Sequence, residues 1–156
     1  MTPFICVDPG WHTALAFFKN GNSIPWYTKQ FDLKLNQQDI TNNLKQMINI
    51  FALDMSEVPV GTLIIIEGTQ LWGTSAKSQS AGVRGDISNL SYLVGGYCAV
   101  CFLYNLDFKI VLPNEWKGQM SDSILAARIK RAINQEYRTE HIRSAVGIGL
   151  AHLGVL

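Results

Sequence analysis

The run Leu63-Ile64-Ile65-Ile66, within "TLIIIEG" at 62–68, constrains this chain more than any other stretch. Successive side chains of a strand point to opposite faces, so four large apolar residues in a row leave no polar face. Such a strand is stable only where both sides of its sheet are covered, as in α/β domains. "FICVDPGWHTALAFF" at 4–18 adds a hairpin to it: two apolar runs joined through Asp8-Pro9-Gly10, where Pro fixes φ and Gly accepts the turn.

Around these strands the remaining elements follow from periodicity. "NGN" at 20–22 supplies a turn before a third strand, "IPWYTKQFDL". Residues 36–53 place Ile40, Leu44, Met47, Ile48 and Phe51 at helical spacing, an amphipathic helix for one face of the sheet. A loop with Pro59 and Gly61 precedes the central strand. A long apolar helix is predicted over 87–104, and "DFKIVLP" reads as a fifth strand ended by Pro113. Helices over 121–136 and 139–153 complete the order β-β-β-α-β-α-β-α-α, a mixed five-stranded sheet flanked by helices.

The 156 residues, 47% hydrophobic and 16% charged, are the size and composition of one compact domain over 1–156. The most apolar segment, 90–106, is interrupted by Ser91, Gly95, Gly96 and Asn105 and reads as a buried helix, so no membrane partner is expected. The N-terminus enters a strand without a basic region and apolar signal core, and the cysteines number three, so a cytoplasmic protein is expected. Cys98 and Cys101 form a C-x-x-C without a second pair or a suitable histidine nearby, and read as core residues. The net charge of +1 gives no direct support for a nucleic-acid partner. Locally, however, 68–84 carry Lys77 and Arg84 with no acid, and 117–131 carry Lys117, Arg128, Lys130 and Arg131 against Asp122 alone.

Two acids end the strands predicted to be central, Asp8 after "FICV" and Glu67 after "LIII". Neighbouring parallel strands present their C-terminal ends at one edge, where ligands of α/β sheets bind. Two carboxylates forced together there repel unless a divalent cation lies between them.

"ICVDPGWHTALAFF", "LIIIEG" and "HIRSAVGIGLAHLG", in that order on these elements, resemble the RuvC family of Holliday junction resolvases, within the ribonuclease H-like superfamily. "PNEWKG" at 113–118, followed by a basic helix, resembles the family's segment before its last helices, and the whole resemblance runs from residue 4 to residue 154. It implies a ribonuclease H-like sheet carrying four metal ligands. Asp8 and Glu67 match the first two. His141 matches the third, which is Asp or His in the family, and Ser144 stands where the fourth should be an acid. Residues 141 and 144 share a helix face, but a hydroxyl is a weak ligand for a hard cation. Three explanations compete for Ser144: Glu140 supplies the missing oxygen, a water held by Ser144 completes the shell, or the chain binds junctions and cuts poorly.

The implied activity is a Mg²⁺-dependent endonuclease, with Mn²⁺ as substitute, that resolves four-way DNA junctions as a homodimer through paired phosphodiester hydrolysis. Asp8, Glu67 and His141 are its expected catalytic residues. Trp72, Lys77 and Arg84, after the fourth strand, are expected at DNA, with Trp72 stacking on an unpaired base. Lys117, Arg128, Lys130 and Arg131 are expected at phosphates. His12 and His152 stand outside the constellation. Alternatives are a nuclease of the same fold with broader branched-DNA or RNA specificity, a non-catalytic junction-binding protein, and one lobe of an actin-like ATPase. The last has no second phosphate-binding hairpin to support it.

Overall fold

The computed structural model describes residues 2–19, 21–32, 39–70 and 86–156. Strands β1 (Phe4–Asp8), β2 (His12–Phe18), β3 (Tyr27–Asp32), β4 (Leu63–Glu67) and β5 (Asp107–Val111) form one sheet in the order β3-β2-β1-β4-β5. β1 is antiparallel to β2, and β2 to β3, whereas β1 is parallel to β4 and β4 to β5. The helices are α1 (Ile40–Met55), α2 (Asp86–Leu103), α3 (Pro113–Trp116), α4 (Asp122–Ile133) and α5 (Glu140–His152). This is the mixed α/β sheet expected from the apolar run at 63–66.

Strand alternation sorts the core into two layers. Ile5, Val7, Leu15, Ile64 and Ile66 face α1 and α2, meeting Met47, Phe51, Leu93 and Tyr97. Phe4, Cys6, Ala14, Ala16, Phe18 and Ile65 face α4 and α5, meeting Leu125, Ile129, Val146 and Ile148. The hairpin turn is closed by Thr13, whose buried hydroxyl donates to the Gly10 carbonyl at 2.7 Å and accepts from the Tyr97 hydroxyl at 2.7 Å. Cys101 is buried in the first layer with Cys98 packed against it, and burial pushes the Cys101 thiol up to about 12. Both are free thiols with a core role.

Helix ends differ from the sequence reading where capping chemistry decides them. Asp39 accepts from the Asn42 N–H at 2.9 Å and starts α1, while 36–38 of the expected helix lie outside the described residues. α4 stops three residues early because Asn134 adopts a left-handed conformation, φ 54°. The four-residue helix α3, with Pro113 at its first turn, was not expected from the sequence. No described helix is long and apolar enough to cross a membrane. α2 is nevertheless not fully buried: Tyr92, Phe102 and Leu103 are 68%, 79% and 78% exposed on its outer side.

α5 lies against the sheet through "VGIGL". A Cβ on Gly149 would overlap the Phe18 ring, itself stacked on Phe4 at 4.7 Å, and one on Gly147 would strike Trp116 and Leu125. Gly149→Ala should therefore cost about 1–3 kcal/mol by overpacking. Gly95→Ala, on α2 with open space around its would-be Cβ, should instead stabilise by about 0.5–1 kcal/mol through helix propensity. Urea midpoints at unchanged m-value measure both, and a neutral Gly149→Ala would refute the close approach.

Candidate active site

The register of β1 on β4 pairs Phe4 with Leu63 and Val7 with Ile66, so Asp8 and Glu67 close the two strands side by side. Counting by twos from Cys6 and Ile65 directs both carboxylates toward the α5 layer. Both are only 7% exposed. His141, in the first turn of α5, meets them there: its Nδ1–H donates to Asp8 Oδ2 at 3.0 Å. Glu67 Oε1 accepts from Trp116 Nε1 at 3.1 Å and pairs with Lys117 Nζ at 2.9 Å. The two donors, neighbours in sequence, stand at the end of the short α3, which Pro113 starts two residues after β5.

Above this pair opens a cleft of about 250 Å³, lined by Asp8, Lys117, Met120, Asp122, Glu140, His141 and Ser144, among others. Burial pushes Asp8 up to about 7, and the neighbouring Glu67 charge adds to the rise against the opposing bond from His141. His141 is pushed up in turn, first by that bond to Asp8. Its Nε2 lies 3.7 Å from Glu140 Oε1. Arg143, beside Ser144, clamps Asp122 through two bonds of 2.8 and 2.5 Å, joining the starts of α4 and α5 and holding Asp122 below its usual range.

Asp8, Glu67 and His141 are thus brought together, with Glu140, Ser144 and Lys117 on the same cleft. Among the described residues no group of three or more His, Cys, Asp or Glu side chains is arranged as a set that could hold a metal ion. The three are instead knitted to one another, to Trp116 and to Lys117. Arg128, Lys130 and Arg131 are exposed on α4, and Lys130 pairs with Glu136 at 2.5 Å. Trp72, Lys77 and Arg84 lie outside the described residues. Sequence reading missed Trp116, Asp122 and His12. Trp116 carried a usable signal, since an indole N–H beside a strand end needs an acceptor. The Asp122–Arg143 clamp joins residues 21 apart and had none.

The sequence matches no protein-family model and no curated protein. Solved structures do resemble it. Thermus thermophilus RuvC in complex with a Holliday junction substrate superposes with a TM-score of 0.73 at 12% identity, covering 98% of this chain and 93% of that one. The chain shares the RuvC fold. A second Thermus thermophilus RuvC structure gives a TM-score of 0.68 at 11% identity, covering 98% and 97%. The RuvC likeness spans nearly the whole chain.

The raised value of Asp8 has a consequence for stability. The folded protein holds that proton up to about 7, whereas an unfolded chain releases it near 3.8, so stability falls as pH rises between these values. Asp8→Asn removes the penalty. In a chelating buffer its melting temperature should exceed the parent's by several degrees at pH 8, at about 2–4 °C per kcal/mol for this size. The gain should shrink steadily as pH falls toward 4. A variant less stable than the parent at pH 8 would contradict the placement of Asp8.

Proposed function

We propose that this chain is a single-domain, divalent-metal-dependent endonuclease that resolves four-way DNA junctions as a cytoplasmic homodimer. The observation carrying the proposal is the pair of buried carboxylates at the ends of β1 and β4, with Asp8 bonded to His141, on a RuvC fold. Two carboxylates and an imidazole are a donor set that Mg²⁺ or Mn²⁺ accepts. Asp8, raised to about 7 by burial and by Glu67, marks a site short of positive charge, which fits such a cation. Asp8, Glu67 and His141 would hold it, with Lys117 ceding Glu67. When bound, the cation supplies a Lewis acid that activates water against a phosphodiester.

The rest falls to the chain's own groups. Lys117, once released from Glu67, has its ammonium on the cleft where a phosphate would enter. Glu140 lines that cleft beside His141, which supports it as the source of the oxygen that Ser144 lacks, while Ser144 can hold a water there. Arg128, Lys130 and Arg131 on exposed α4 give sequence-independent phosphate contacts, and Trp72, Lys77 and Arg84 are proposed at the junction centre. Three free cysteines suit a reducing compartment. A second reading, a junction-binding protein without cleavage, is favoured by one observation, the serine at 144.

Cleavage of a four-way junction in Mg²⁺ or Mn²⁺ distinguishes these. The parent should cut, Asp8→Asn and His141→Ala should fall to the metal-free background while still binding junctions, and Ser144→Asp should cut faster. Undiminished cutting by Asp8→Asn would overturn the site. If the parent binds without cutting and only Ser144→Asp cuts, the second reading holds. Flaps, duplexes and RNA hybrids tested alongside measure how broad the substrate range is.

The proposed homodimer is supported by the outer side of α2, where the large apolar residues Tyr92, Phe102 and Leu103 are exposed. Sedimentation at micromolar concentration should give a dimer, and Phe102→Glu with Leu103→Glu should dissociate it. A parent that is monomeric with and without junction DNA would rule the dimer out.

A further inference from the structure

Two strands outside the carboxylate pair also direct side chains toward the start of α5. His12 follows the alternation of Ala14, Ala16 and Phe18, so it faces the α5 layer. In the β2–β3 register His12 pairs with Asp32 and Ala14 with Gln30, which sets all three polar side chains on that face. They form a chain of bonds. His12 Nδ1–H donates to Asp32 Oδ1 at 2.8 Å, and Gln30 Nε2 donates to the same oxygen at 2.6 Å.

Both ends of this chain arrive at His141. Gln30 Oε1 accepts from Thr139 Oγ1 at 2.5 Å, and that hydroxyl is also the N-cap of α5, accepting from the Ile142 N–H at 3.2 Å. Gln30 therefore ties β3 to the backbone turn that carries His141. At the other end the His12 ring stacks on the His141 ring, with centroids 5.4 Å apart and planes 29° apart. One contact locates the helix turn, and the other limits the rotation of the imidazole upon it. His141 is left with Nδ1 on Asp8 and Nε2 toward Glu140.

From this closed circuit we infer that Gln30, Asp32 and His12 are positioning residues, which hold the His141 imidazole in the orientation in which it serves Asp8 and a bound divalent cation. The inference rests on the metal-nuclease reading above. A ligand histidine on a helix turn otherwise has free rotation about two side-chain bonds, and restricting it raises affinity without any added ligand. His12 and Asp32 do this from the surface, with side chains 54% and 60% exposed, so the core does not depend on them.

The test is Mn²⁺ affinity of the full chain, read from the loss of the free-ion electron paramagnetic resonance signal, with melting temperature as the folding check. His12→Ala and Asp32→Ala should each weaken binding about 10-fold at nearly unchanged melting temperature. The double variant should lose less than the product of the two single losses, because both act on the one imidazole. His12→Phe, which keeps a ring against His141, should recover most of the loss. If His141→Ala weakens binding while His12→Ala and Asp32→Ala bind like the parent, the array is refuted and the metal reading stands. If His141→Ala itself binds like the parent, the metal reading fails and this inference with it.

Discussion

Asp8 and Glu67 sit side by side because β1 and β4 are parallel neighbours in register, and burying two carboxylates together is costly. Much of the surrounding structure offsets that cost. His141 serves Asp8 from the first turn of α5, while α3, only four residues long, delivers Trp116 and Lys117 to Glu67. Room for the Trp116 ring depends in turn on Gly147, since any larger residue would strike it. A charge problem at two strand ends thus reaches into the composition of the last helix.

The architecture was legible because its main signals were local. Leu63-Ile64-Ile65-Ile66 required cover on both faces, and the two layers of the core supply it, Ile64 and Ile66 on one side and Ile65 on the other. Helix ends were less legible. Asn134 ends α4 by turning left-handed, which an asparagine two residues before the expected end did not announce. α3 escaped notice because four residues are too few to carry a periodic pattern.

The site was legible in part, for a different reason. Asp8 and Glu67 were visible as acids ending apolar strands, so topology alone joined them. His141 and Ser144 entered through the resemblance of the terminal motif and not through any local signal. What surrounds them is non-local: Arg143 to Asp122, Trp116 to Glu67 and His12 to Asp32 bridge 20 to 49 residues of sequence. No spacing rule reaches across such gaps. The Lys117–Glu67 contact was also invisible, since Lys117 reads equally well as a phosphate contact.

The glycines of α5 have one more implication. Gly147 and Gly149 lie three and five residues beyond Ser144, and they leave the helix no slack against Phe18, Trp116 and Leu125. The seat of the helix is therefore decided at a distance from its reactive end. Residue 144 can change its chemistry without shifting the frame that presents it. Ser144 then reads as a replaceable tip on a fixed handle: evolution, or a designer, can trade ligands at that position while the tool keeps its shape.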